Sequence, residues 1–125
     1  MDIRTIVPLA VAFLGTFLVI GLPYWSIPLD RLALPRDIWG HGLVAAAALA
    51  VGACVLGNSR AWAAGLAVGT AVPAAVFARV IYDVARDSTT HNLWPFEIVL
   101  ALGPGLLAGL AGAIAGALMV RWRGA

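Results

Sequence analysis

Lysine is absent and charge of either sign is scarce: eight arginines and six acids make up 11 % of 125 residues. Soluble domains carry roughly 25 % charged and 45–50 % apolar residues, whereas 62 % of this chain is hydrophobic. So little polar surface excludes a water-soluble fold, because a core of this size cannot hide the remainder and the bilayer must act as solvent. The net charge of +2 is dispersed over the ends of apolar runs, which excludes a nucleic-acid-binding surface. Cysteine is down to one, Cys54, inside an apolar run. No intrachain disulfide or cysteine-based metal site is therefore available, and a lone buried thiol behaves as a small hydrophobe. Nothing in the composition asks for a cofactor. Arginine without lysine, beside heavy use of Ala, Gly and Val, fits a high-GC bacterial genome.

What is present is a succession of apolar runs. The first, from Thr5 to Leu22, exceeds the 7–15 residues of a signal-peptide core, and Leu22-Pro23-Tyr24-Trp25 offers no small-residue cleavage site. It is expected to be a retained helix, with Pro8 in its first turns and Tyr24 and Trp25 in an interfacial aromatic belt. A Pro-punctuated polar connection from Ser26 to Trp39 follows, in which Leu29–Leu34 suits one interfacial helical turn. The tight turn Asn58-Ser59-Arg60 predicts that the runs on either side are antiparallel neighbours. Pro73 is a kink candidate in the third run, and Gly103-Pro104-Gly105 is expected to break the fourth. The reading is an all-α membrane protein: a single domain over residues 1–125 with four transmembrane helices in an antiparallel bundle. Its spans lie at about residues 5–22, 38–56, 61–84 and 93–120, with two longer polar loops on one face.

An even number of spans places both termini on one side, with Arg4, Arg60, Arg121 and Arg123. The other side has Arg31, Arg36, Arg79 and Arg86, so the arginine count is tied. The compact arginines flanking the spans favour cytoplasmic termini in the inner membrane. Gly65-x3-Gly69, Gly105-x3-Gly109 and Gly112-x3-Gly116 allow close helix approach. They suit packing within one protomer first and a homo-oligomer interface second. Arg36-Asp37-Ile38-Trp39-Gly40-His41 against Arg86-Asp87…His91…Trp94 raises a weak internal duplication.

Polar chemistry gathers in Tyr82 to Glu97, which holds three of the six acids and one of the two histidines. On a continuing helix Arg79, Asp83 and Asp87 share one face at i, i+4, i+8, with Arg79–Asp83 a structural ion pair. Asn92 suits a helix N-cap and Glu97 the positive end of the next helix, while Trp94 and Phe96 suit a second belt. The candidate ligand-binding residues are Asp83, Arg86, Asp87, His91, Asn92 and Glu97. Ionisable groups close to the membrane are functional candidates by default. The spacing of Asp83, Asp87 and His91 matches no zinc motif, so no metal site is assigned. His41 and His91 as axial haem ligands are a further alternative.

The run Asp87-Ser88-Thr89-Thr90-His91-Asn92-Leu93-Trp94-Pro95-Phe96-Glu97 resembles a signature of small four-span bacterial inner-membrane proteins. The resemblance covers this loop and the start of the fourth span and implies no activity. The reading is therefore a polytopic binding or accessory protein rather than an enzyme. Its partners are the bilayer and a lipid head group or small ligand at the polar face. The alternatives are a small homo-oligomeric transporter or channel and, behind it, a membrane-embedded metal- or haem-dependent enzyme.

Overall fold

The structure is a computed structural model that describes residues 3–27, 40–88 and 94–124. The described residues form four helices and no strand: α1 (Ile3–Trp25), α2 (His41–Val55), α3 (Ala61–Arg86) and α4 (Trp94–Gly124). The Ser26–Trp39 connection, apart from Ser26 and Ile27, lies outside the described residues, as do Thr89, Thr90, His91, Asn92 and Leu93.

Helices α1, α3 and α4 have 23, 26 and 31 residues, and each exceeds the ~20 needed to cross about 30 Å of hydrocarbon. Helix α2 has 15 residues, or roughly 22 Å at 1.5 Å per residue. Three helices are thus long and apolar enough to cross a membrane, where four full spans were expected. The shortfall lies at the start of α2. Gly40 precedes it with φ 144°, a backbone region essentially confined to glycine, so the helix begins at His41 instead of Ile38. At its other end Asn58 takes φ 53°, which asparagine tolerates better than most residues. Arg123 Nη2 donates to the Val55 carbonyl at 3.4 Å, closing the exposed end of α2.

One expectation for proline is corrected: helix α4 runs unbroken through Gly103-Pro104-Gly105. Helix α1 likewise continues past Pro23 to Trp25, beyond the expected end near Leu22. In the membrane a single missing N–H is tolerated where neighbouring groups approach the freed carbonyl. Pro73 frees the carbonyl of Gly69 four residues earlier. A Cβ at Gly105 of α4 would lie 2.6 Å from that oxygen, so a glycine Cα–H points at it instead, a weak hydrogen-bond geometry recurrent between helices.

The same device sets the order of the bundle. Gly109 faces the Gly65 carbonyl on α3, Gly112 faces the Ala47 carbonyl on α2, and Gly116 approaches the Val51 backbone. Helix α4 therefore touches α3 and α2 backbone to backbone, and all three Gly-x3-Gly pairs are engaged inside the protomer. Helix α1 packs on α2 and α3, with no contact to α4 among the described residues. Helices α2 and α3 touch less extensively than either touches α4, because they face each other across the bundle and do not stand side by side, as the short turn between them had suggested. Paired residues show α1 antiparallel to α2 and α3 antiparallel to α4, with α1 parallel to α3. A two-fold duplication along the membrane normal would make the α1–α4 and α2–α3 contacts equivalent, and they are not.

Replacing Gly109 or Gly112 by Leu is expected to lower stability by at least the 1–3 kcal/mol of an overpacked core. The Gly103→Ala control, whose Cβ meets nothing within 4 Å, should be neutral or stabilising. Thermal unfolding and size in detergent measure both. A cysteine at Trp122 and one at Ser88, each in a Cys54→Ala background, should label from opposite sides of the membrane.

Candidate functional site

The inward stripe of α3 passes through Val68, Val72 and Val76, all fully buried, and then reaches Arg79 and Asp83. Helical period alone puts these two charged side chains where the pattern calls for core residues, and they are only 7 % and 9 % exposed. Burial on that scale needs pairing. Arg79 Nε donates to Asp83 Oδ2 at 2.7 Å. Arg79 Nη1 donates to the carbonyls of Tyr24 and Trp25 at 3.2 and 3.3 Å. Those are the last residues of α1, whose final carbonyls lack partners within the helix. A cation there also complements the negative end of the helix dipole.

Trp25 answers from the other side. Its indole Nε1 donates to the Ala75 carbonyl of α3 at 2.9 Å. The ring lies over Gly21, where a Cβ would collide with it, and meets Phe17 edge-on at 5.0 Å. Trp25 is therefore a half-buried tie between α1 and α3, and Tyr24 is fully buried. Neither is the belt residue that the sequence suggested, because Trp25 turns its indole towards α3 and the Tyr24 side chain is withdrawn from the surface. Trp94 and Phe96 do stand exposed, Trp94 leaning on Phe77 at 6.0 Å, with Trp62 and Trp122 exposed at the opposite end.

Beside the Arg79–Asp83 pair lies a cavity of about 380 Å³ lined by Trp25, Ala78, Arg79 and Tyr82. Arg86 sits over the exposed Tyr82 ring, 5.4 Å from its centroid, and donates from Nη1 to the phenol oxygen at 2.6 Å. The expected ladder of Arg79, Asp83 and Asp87 stops one step early. Helix α3 ends at Arg86, and Asp87 takes extended backbone (φ −150°, ψ 107°) with its N–H on the Asp83 carbonyl at 2.8 Å. Asp87 is exposed just past the end of α3, and Glu97 is half-buried in the first turn of α4, where the helix dipole favours an acid. His91 and Asn92 lie outside the described residues. Among the described residues no three His, Cys, Asp or Glu side chains converge as metal donors, and His41 is exposed at the start of α2.

The structure thus brings together Arg79, Asp83 and Arg86 with two aromatic walls, of which Trp25 carried no functional signal in the sequence. A tryptophan at a helix end beside a membrane face is ordinarily a belt residue. Only the packing of α1 on α3 shows its indole turned inward. No known protein family, curated protein or solved structure matches this chain.

Asp83→Asn is expected to cost about 1–3 kcal/mol, because the buried guanidinium loses its charged partner. Arg79→Gln should cost about 3–5 kcal/mol, leaving Asp83 and two helix-end carbonyls short of a donor. The exposed Arg86→Gln should stay within about 0.5 kcal/mol of the parent. Chemical unfolding in detergent micelles ranks the three.

Proposed function

We infer that this chain is a small integral membrane protein that binds a lipid head group or a small amphiphile at the face carrying Arg79, Asp83 and Arg86. The cavity beside the buried pair carries the reading. Arg79 is already engaged with Asp83 and α1, so it serves as a fixed wall and keeps α1 and α3 at a set distance. An apolar body fits between Trp25 and Tyr82, and a polar head reaches Arg86, Asp87 and the first turn of α4. His91 and Asn92 belong to this proposal as ligand-binding residues by their place in the sequence, with both termini on the cytoplasmic side of an inner membrane.

Depth favours binding over transport. Arg79 lies seven residues from the end of α3, or about 10 Å at 1.5 Å per residue, whereas transporter sites sit near the bilayer midplane. Thr16 is the one fully buried polar side chain among the described residues of the long α1 run.

The test is thermal stabilisation in detergent by short-chain phosphatidylcholine, phosphatidylethanolamine and phosphatidylglycerol, and by small cationic and anionic amphiphiles. At least one should raise the melting temperature of the wild type. Asp87→Asn, His91→Ala and Tyr82→Ala should keep the fold and lose that rise. No shift from any probe, together with unfolded Asp87 and His91 variants, would make the cluster purely structural.

A further inference from the structure

We propose that the opposite end of the bundle holds an anionic phospholipid, with its phosphate in a basic cavity and one acyl chain in the apolar groove beside it. The cavity, of about 470 Å³, is lined by Arg4 and Thr5 of α1, Asn58, Ser59 and Arg60 of the turn after α2, and Trp62 near the start of α3, with no acid among its described lining residues. The arginines differ in how they are used. Arg79 is engaged with Asp83 and α1, Arg86 with Tyr82, and Arg123 with the Val55 carbonyl. Arg4 and Arg60, the latter at the N-cap of α3, make no such contact among the described residues. Two guanidinium groups from separate elements therefore face one cavity with their donors uncommitted among the described residues. Ser59, one of the lining residues, has its hydroxyl oxygen buried without a hydrogen-bond partner among the described residues.

Two such cations, with no acid opposite among the described residues, select a phosphate ester of net negative charge over a zwitterionic head group. Trp62, 61 % exposed, marks head-group depth. The second observation concerns the rest of the ligand. A groove of about 340 Å³ runs between α1 and α2, lined by Val7, Pro8, Val11, Leu49, Gly52 and Leu56 among others. Gly57 lines both the groove and the cavity. A charged compartment beside a hydrocarbon one, the two sharing Gly57 as a wall, fits a phospholipid and exceeds what a free phosphate needs.

The experiment uses the full chain in phosphatidylcholine vesicles doped with phosphatidylglycerol, with the lipid retained after detergent extraction measured by native mass spectrometry. Phosphatidylglycerol should be retained in preference to phosphatidylcholine. Arg4→Gln and Arg60→Gln should each weaken retention about five-fold, the worth of one cation near an anionic surface. Arg4→Lys and Arg60→Lys should keep most of it. Arg121→Gln, which leaves the cavity intact, should change nothing. Gly52→Leu fills the groove from a position whose Cβ meets nothing within 4 Å, and should weaken retention without lowering the melting temperature of the lipid-free protein. Equal retention of the two lipids, or an Arg121→Gln loss as large as that of Arg4→Gln, would overturn the proposal. So would competition by inorganic phosphate that is equal in the wild type and Gly52→Leu, since that outcome denotes a free-phosphate site. Each result is independent of Tyr82, Arg86 and Asp87 at the other face.

Discussion

In lipid the hydrophobic effect does not press helices together, so this bundle rests on how closely its backbones approach. Helix α4 shows the constraint most plainly. Its glycines at 105, 109, 112 and 116 sit where a Cβ would strike a carbonyl or Cα of α3 or α2. Each therefore turns an inert helix face into many short dispersion contacts and a Cα–H directed at a carbonyl oxygen. The carbonyl that Pro73 leaves without its helical donor is one of those faced in this way, so a local defect in α3 becomes part of the α3–α4 contact.

Helix α1 is attached by different physics. Where it meets α2 and the turn after it, glycine faces side chain: Gly15 against Leu49, Gly42 against Ile20, and Gly57 against Pro8. Where it meets α3, hydrogen bonds run both ways, Trp25 to the Ala75 carbonyl and Arg79 to the last carbonyls of α1. A buried ion pair is a weak source of net stability, yet here it acts as a geometric device. Asp83 fixes the guanidinium so that its remaining donors reach a helix end, and that end has no contact with α4 behind it.

The bundle was legible in the sequence because composition and run length report the solvent directly, and small-residue spacing reports where backbones meet. The start of α2 was not, because an apolar run continues through Ile38 and Trp39, and only the φ of Gly40 shows that the helix begins at His41. The pair Arg79–Asp83 was legible from its i, i+4 spacing. Its partners were not, since main-chain carbonyls of another helix leave no mark in a sequence. Asp87 was placed on the wrong side of a helix end, because spacing cannot tell the last helical residue from the first extended one. The Trp25 tie was hidden by the ordinary meaning of a tryptophan at a membrane face.

Most of the cavities follow from the second mode of attachment. Side-chain packing against α1 leaves gaps wherever neighbouring side chains differ in length, while a smaller cavity of about 200 Å³, lined by Cys54, Asn58, Ser59, Ala117 and Val120, lies on the α2–α4 side. The polar cavity at Trp25, the basic cavity at Arg4 and the groove at Val7 all use α1 as one wall. Of the three long helices α1 is also the least covered by protein, with 22 % of its apolar window buried against 61 % for α3. A molecule lodged at either end would thus replace lipid along the least committed helix and leave the glycine-packed seams undisturbed. The helices are joined by two contact types: carbonyl-facing glycines hold α2, α3 and α4 together, and the looser seams of α1 leave open space beside it.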